Sequence, residues 1–82
     1  SQNYPNPFNP STLIRFSLPE PAEVRLDVFD LEGRLVAELA SGTHAAGVYE
    51  VRFDASELSS GTYFYRLQAG PHTRVRMLTL IK

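Results

Sequence analysis

The chain has 82 residues, a formal net charge of −1 and no cysteine. That length supports one hydrophobic core and therefore one domain, residues 1–82, and the missing cysteine excludes a disulfide framework and a thiolate metal site. Eight basic and nine acidic side chains are scattered along it with no basic stripe for nucleic acid, and no apolar run approaches the roughly 20 residues of a membrane-spanning helix.

The opening segment, NYPNPFNPST over residues 3–12, alternates asparagine with proline. Proline fixes its own φ and restricts the residue before it, so this stretch reads as turns and extended backbone, with Tyr4 and Phe8 expected to pack on the body of the domain. From Thr12 a period of two begins. Ile14, Phe16 and Leu18 share one face, with Arg15 and Ser17 on the other. After the Pro19-Glu20-Pro21 break, Val24, Leu26 and Val28 alternate with Glu23, Arg25 and Asp27, the pattern of a half-buried strand whose carboxylates face solvent.

Asp30-Leu31-Glu32-Gly33 reads as a tight turn, with Gly33 able to take positive φ, into a strand over residues 34–39. Residues 40–46 are small and read as a loop. Tyr49, Val51 and Phe53 then mark a strand over 48–54, and residues 55–59 allow one helical turn at most. An aromatic strand over 63–69 and the Gly70-Pro71 turn follow. The last strand, 72–81, reads with Val75 and Met77 inward and Arg74 and Arg76 outward. Six strands, with a seventh short one in the opening segment, predict an all-β, immunoglobulin-like antiparallel β-sandwich. The set Leu58, Gly61 and Tyr63 has the spacing of a tyrosine corner, in which the tyrosine hydroxyl bonds back to upstream backbone.

Catalytic chemistry is hard to build from these residues. His44 and His72 sit in or beside turns, with no nucleophile elbow nearby. The carboxylates of Asp27, Asp30, Glu32, Asp54 and Glu57 alternate outward or occupy turns, where they stay solvated. The expectation is a non-enzyme with no cofactor and no metal.

Read together, Tyr4-Pro5-Asn6-Pro7, Asp30-x-x-Gly33-Arg34, Ser60-Gly61-x-Tyr63-x-Tyr65 and the basic-apolar last strand resemble the C-terminal sorting domain family of type IX secretion, type A. The second half is also similar to the immunoglobulin-like domain of flagellar hook-capping proteins. That family has tryptophan-aspartate-glycine where this chain has Phe53-Asp54-Ala55, so it ranks second.

The first resemblance implies a non-catalytic module that takes a secreted parent protein from the periplasm through the outer membrane and anchors it at the cell surface. Its implied partners are the outer-membrane translocon, shuttle and sortase-like proteins, and surface lipopolysaccharide. Recognition is expected at Pro5, Asn6, Pro7, Arg74, Arg76 and Lys82, and a structural role at Asp30, Gly33, Leu58, Gly61, Tyr63 and Tyr65. With neither initiator methionine nor signal peptide at Ser1, the chain is expected to be a piece of a longer polypeptide. The alternative reading is a carbohydrate-binding or passive accessory module of a secreted glycoside hydrolase, with Phe29 and Phe64 as outward-facing rings.

Overall fold

The computed structural model describes residues 11–81. The Pro5-Asn6-Pro7 segment, the packing of Tyr4 and Phe8, the seventh strand and Lys82 lie outside them. Among the described residues six strands form, all antiparallel: β1 (Ser11–Leu18), β2 (Ala22–Asp30), β3 (Leu35–His44), β4 (Gly47–Asp54), β5 (Gly61–Ala69) and β6 (His72–Leu80). β1 and β4 make a two-stranded sheet, and the other four make a sheet ordered β3-β2-β5-β6.

The two sheets meet through the residues that alternation selects. Ile14, Phe16 and Leu18 of β1 and Phe53 of β4 are buried with Val24, Leu26 and Val28 of β2. Ala55, Tyr63 and Leu80 complete the buried cluster. β2 is an interior strand, paired with both β3 and β5, and its inward side chains Val24, Leu26 and Val28 are buried. Removing a side chain of that size from water stabilises the fold by about 1.5–3 kcal/mol.

β3 departs from expectation. It continues through residues 40–44, which read as loop, and pairs His44 with Ala22 and Thr43 with Glu23. The Thr43 hydroxyl adds a hydrogen bond to the Glu23 carboxylate at 2.8 Å. Two register shifts, opposite Leu26/Asp27 and opposite Val28/Phe29, insert extra residues into β3. Its exposed positions Leu35, Glu38 and Ser41 therefore recur every three residues, which hides the strand from a search for period two.

The β2–β3 turn is tied by Asp30. Its Oδ1 accepts the backbone N–H groups of Glu32 and Arg34, both at 2.9 Å, and its Oδ2 accepts Arg34 Nε at 2.9 Å. Gly33 stands at φ +84°, where an L side chain is strained. The Arg34 backbone N–H bond, followed by the Arg34 guanidinium and the Glu32 N–H, holds the Asp30 carboxyl below the usual carboxylate range.

Two outcomes follow for urea denaturation. Phe53 is 1% exposed, so Phe53→Ala costs about 3–5 kcal/mol, whereas Val48→Ala on the solvent side changes stability by less than about 0.5 kcal/mol; equal effects would contradict this core. Asp30→Asn keeps the turn's acceptor and deletes its charge. A lowered native pKa stabilises above the unfolded value, near 4, and that benefit disappears as pH falls through the native value. Asp30→Asn is therefore less stable than the parent at pH 7, and the gap closes in acid; a gap that widened in acid would reverse the assignment.

Candidate recognition surface

Because the sheet of two strands covers only part of the sheet of four, β6 is left overhanging. Leu80 is buried and Leu78 is half-buried on the sandwich side. The register is continuous from there to His72, so Arg76 and Arg74 share that side, while Met77 and Val75 turn to the outer face. This reverses the expected phase: Met77 is 73% and Val75 56% exposed. The apolar run that closes the strand conceals its parity, and only Leu78 and Leu80 reach the core. Arg74 and Arg76 are themselves exposed, because no strand of the small sheet covers them.

A groove of about 770 Å³ opens beside this overhang, between the end of β1 and the β5–β6 hairpin. Phe16, Leu18, Leu67 and Ala69 line it together with Arg15 and Arg74. Neither Arg15, Arg74 nor Arg76 makes an ion pair among the described residues.

The outer face of the large sheet carries a cluster that alternation alone did not reveal. Asp27 lies on the solvent side of β2 but is only 1% exposed, a correction to its expected solvation. Arg25 Nε donates to its Oδ2 at 2.9 Å, and Arg66 Nη2 stands 3.8 Å from the same atom. Arg25 Nη2 also reaches Glu38 at 3.0 Å. The hydrogen bond to Asp27, then the charges of Asp27 and Glu38, raise the Arg25 pKa above its ordinary value. Asp27 Oδ1 has no hydrogen-bond partner among the described residues. The available signal was an aspartate in the middle of a strand, between Leu26 and Val28, where its β-propensity is poor.

Phe29 and Phe64, the expected outward rings, are cross-strand partners. They stack on each other with centroids 5.8 Å apart and planes 24° apart, and the Arg66 guanidinium lies 5.0 Å from the Phe29 centroid. Stacked rings under a guanidinium are not the coplanar open platform that sugar stacking uses. In register, Leu35, Phe29, Phe64 and Met77 form one apolar row across all four strands.

The remaining motif residues lie in the turns and strands of the fold. Tyr63 Oη donates to the Ser59 carbonyl at 2.8 Å, while Leu58 packs against the core and its N–H donates to the Ala55 carbonyl at 3.0 Å. Gly61 opens β5 opposite Leu80, and half-buried Tyr65 pairs with Arg76. His44 packs edge-on against Tyr49 with centroids 5.1 Å apart, and His72 starts β6 opposite Ala69. Among the described residues no three metal-ligating side chains gather in one place.

Against known proteins, a family model described as the secretion system C-terminal sorting domain matches residues 2–81. No curated protein and no solved structure matches the chain.

The charge cluster makes an asymmetric prediction. Asp27→Val removes a buried carboxylate with one orphaned oxygen and leaves two arginines free to turn to water, so stability stays within about 1 kcal/mol of the parent. Arg25→Ala strands that carboxylate with only the distant Arg66, and the urea midpoint falls further than for Asp27→Val. The opposite order in paired denaturation curves would refute this account of the cluster.

Proposed function

The chain belongs to the secretion system C-terminal sorting domain family, and on that premise we propose that it anchors its parent protein at the outer cell surface after carrying it there by way of the periplasm. As a sorting module it directs export to the cell surface or beyond, and it interacts with the secretion system to do so. The finer reading concerns where. The match over residues 2–81 supports recognition of the folded domain as a whole, and the overhanging β6 supplies a surface for it.

In this reading the outer-membrane translocon and its shuttle protein engage Arg74 and Arg76 on β6, with Lys82 and the Pro5-Asn6-Pro7 segment contributing from either end of the chain. A sortase-like peptidase then releases the cargo for attachment to lipopolysaccharide. Gly61, Tyr63, Asp30 and Gly33 maintain the shape that presents these groups. The domain carries out no reaction; its chemistry is that of a surface. What supports Arg74 and Arg76 in this role is that both are exposed and free of ion pairs among the described residues. An unpaired surface charge costs the fold little to keep and is available to a partner.

The test is a periplasmically targeted reporter fused to residues 1–82 in a host with type IX secretion. The expected result is reporter on the outside of intact cells, lost on Leu80→Asp, which unfolds the domain, and reduced on Arg74→Glu/Arg76→Glu, which leaves it folded. Reporter held in the periplasm by the unaltered domain would overturn the reading.

A further inference from the structure

β6 is the last strand of the large sheet, hydrogen-bonded to β5 along one side and to no strand on the other among the described residues. Its free side presents a row of backbone N–H and C=O groups, the template on which another extended chain adds to a sheet. Edges of this kind are blunted by charged side chains, by proline, by a bulge or by a covering loop, and on β6 the charges of Arg74 and Arg76 deter a second copy of the chain while leaving the edge open to an acidic strand. β6 has no proline, its register against β5 is unbroken, and both of its faces are exposed from His72 to Met77.

The two faces of that stretch differ in chemistry. Arg74 and Arg76 stand on the sandwich side, one strand period apart and flanked in register by Leu67 and Tyr65 rather than by an acid. Val75 and Met77 stand on the outer side, where Met77 ends the apolar row that runs from Leu35 through Phe29 and Phe64. A strand laid against β6 continues this sheet, so its side chains fall alternately beside the arginines and beside the apolar row.

We infer that β6 is a receptor edge for an extended peptide segment whose side chains alternate acidic and aliphatic. The acids meet Arg74 and Arg76, the aliphatic residues lengthen the row beyond Met77, and main-chain hydrogen bonds supply the pairing. A second copy of this chain is the wrong occupant. Two β6 strands paired antiparallel would put the arginines of one opposite the arginines of the other, and like charges directly opposite are destabilising. Charge complementarity therefore selects an acidic partner, and alternation selects a strand over a helix or a flat polyanion. The source of that strand, a component of the export machinery, rests on the sorting function proposed above; the pairing itself does not.

The test uses the full 82-residue chain and fluorescence anisotropy of a labelled ten-residue peptide of alternating glutamate and valine at low ionic strength. Two peptides serve as controls, one alternating lysine and valine, the other the glutamate–valine peptide with every backbone amide N-methylated. The glutamate–valine peptide is expected to bind about tenfold or more tightly than either control, as two exposed ion pairs and a strand of hydrogen bonds imply, and to weaken as salt rises. Arg74→Glu/Arg76→Glu, checked for its fold by circular dichroism, is expected to exchange preference and take the lysine–valine peptide. Equal binding of the N-methylated peptide would show attraction without strand pairing and overturn the inference, as would an unchanged preference in the charge-reversed variant or no binding by the parent. Peptide binding is read on the isolated domain and display on whole cells, so either can fail alone.

Discussion

A sheet of two strands is about half as wide as a sheet of four, since strands lie nearly 5 Å apart in either, and this mismatch governs the whole domain. The apolar faces of β1 and β4 bury one side of β2 and part of its neighbours, and there the fold has its core. Burial of this kind grows with the area removed from water, so the stabilising contacts concentrate around Val24, Leu26, Val28 and Phe53. What the small sheet does not reach must be compatible with solvent on both sides. The first half of β6 meets that condition with arginines on one face and a thin apolar margin on the other.

Legibility followed the same division. Where a strand lies wholly under or over the core, as β1 and β2 do, its period-two pattern is clean and the inward residues could be picked in advance. β3 defeated the method because two bulges change the spacing of its outward residues, leaving small side chains that mimic a loop. β6 defeated it differently. A strand that is half core and half overhang has no single hydrophobic phase, and Val75 and Met77 draw attention to the face that the core does not use. Asp27 looked solvated because parity reports the side of a sheet and says nothing of what neighbouring side chains drape over it. The family's motifs were readable as an ordered set along the chain, but the arrangement of Arg74 and Arg76 against an open edge exists only in three dimensions.

The residues that tie the fold together are distinct from those proposed for recognition. Tyr63 fastens the approach to β5 and Asp30 closes the β2–β3 turn through hydrogen bonds made within the domain. The arginines of β6 contribute almost nothing to packing and hold their capacity in reserve. Under the proposed function, that separation lets the recognition surface vary without loosening the core that supports it.

The order of strand pairing has a kinetic corollary. β6 is anchored only through β5, β5 only through its pairing with β2 across the intervening β3 and β4, and β1 waits for β4 across the whole β2–β3 hairpin. The β2–β5 and β1–β4 pairings are non-local and form slowly in an all-β chain, whereas β5 and β6 are joined by a tight hairpin. Under the proposal above, an unfolded copy carries the residues of β6 without the edge of the complete sheet. In that proposal a partner that reads the edge of β6 reads the assembled sheet, so recognition is coupled to folding.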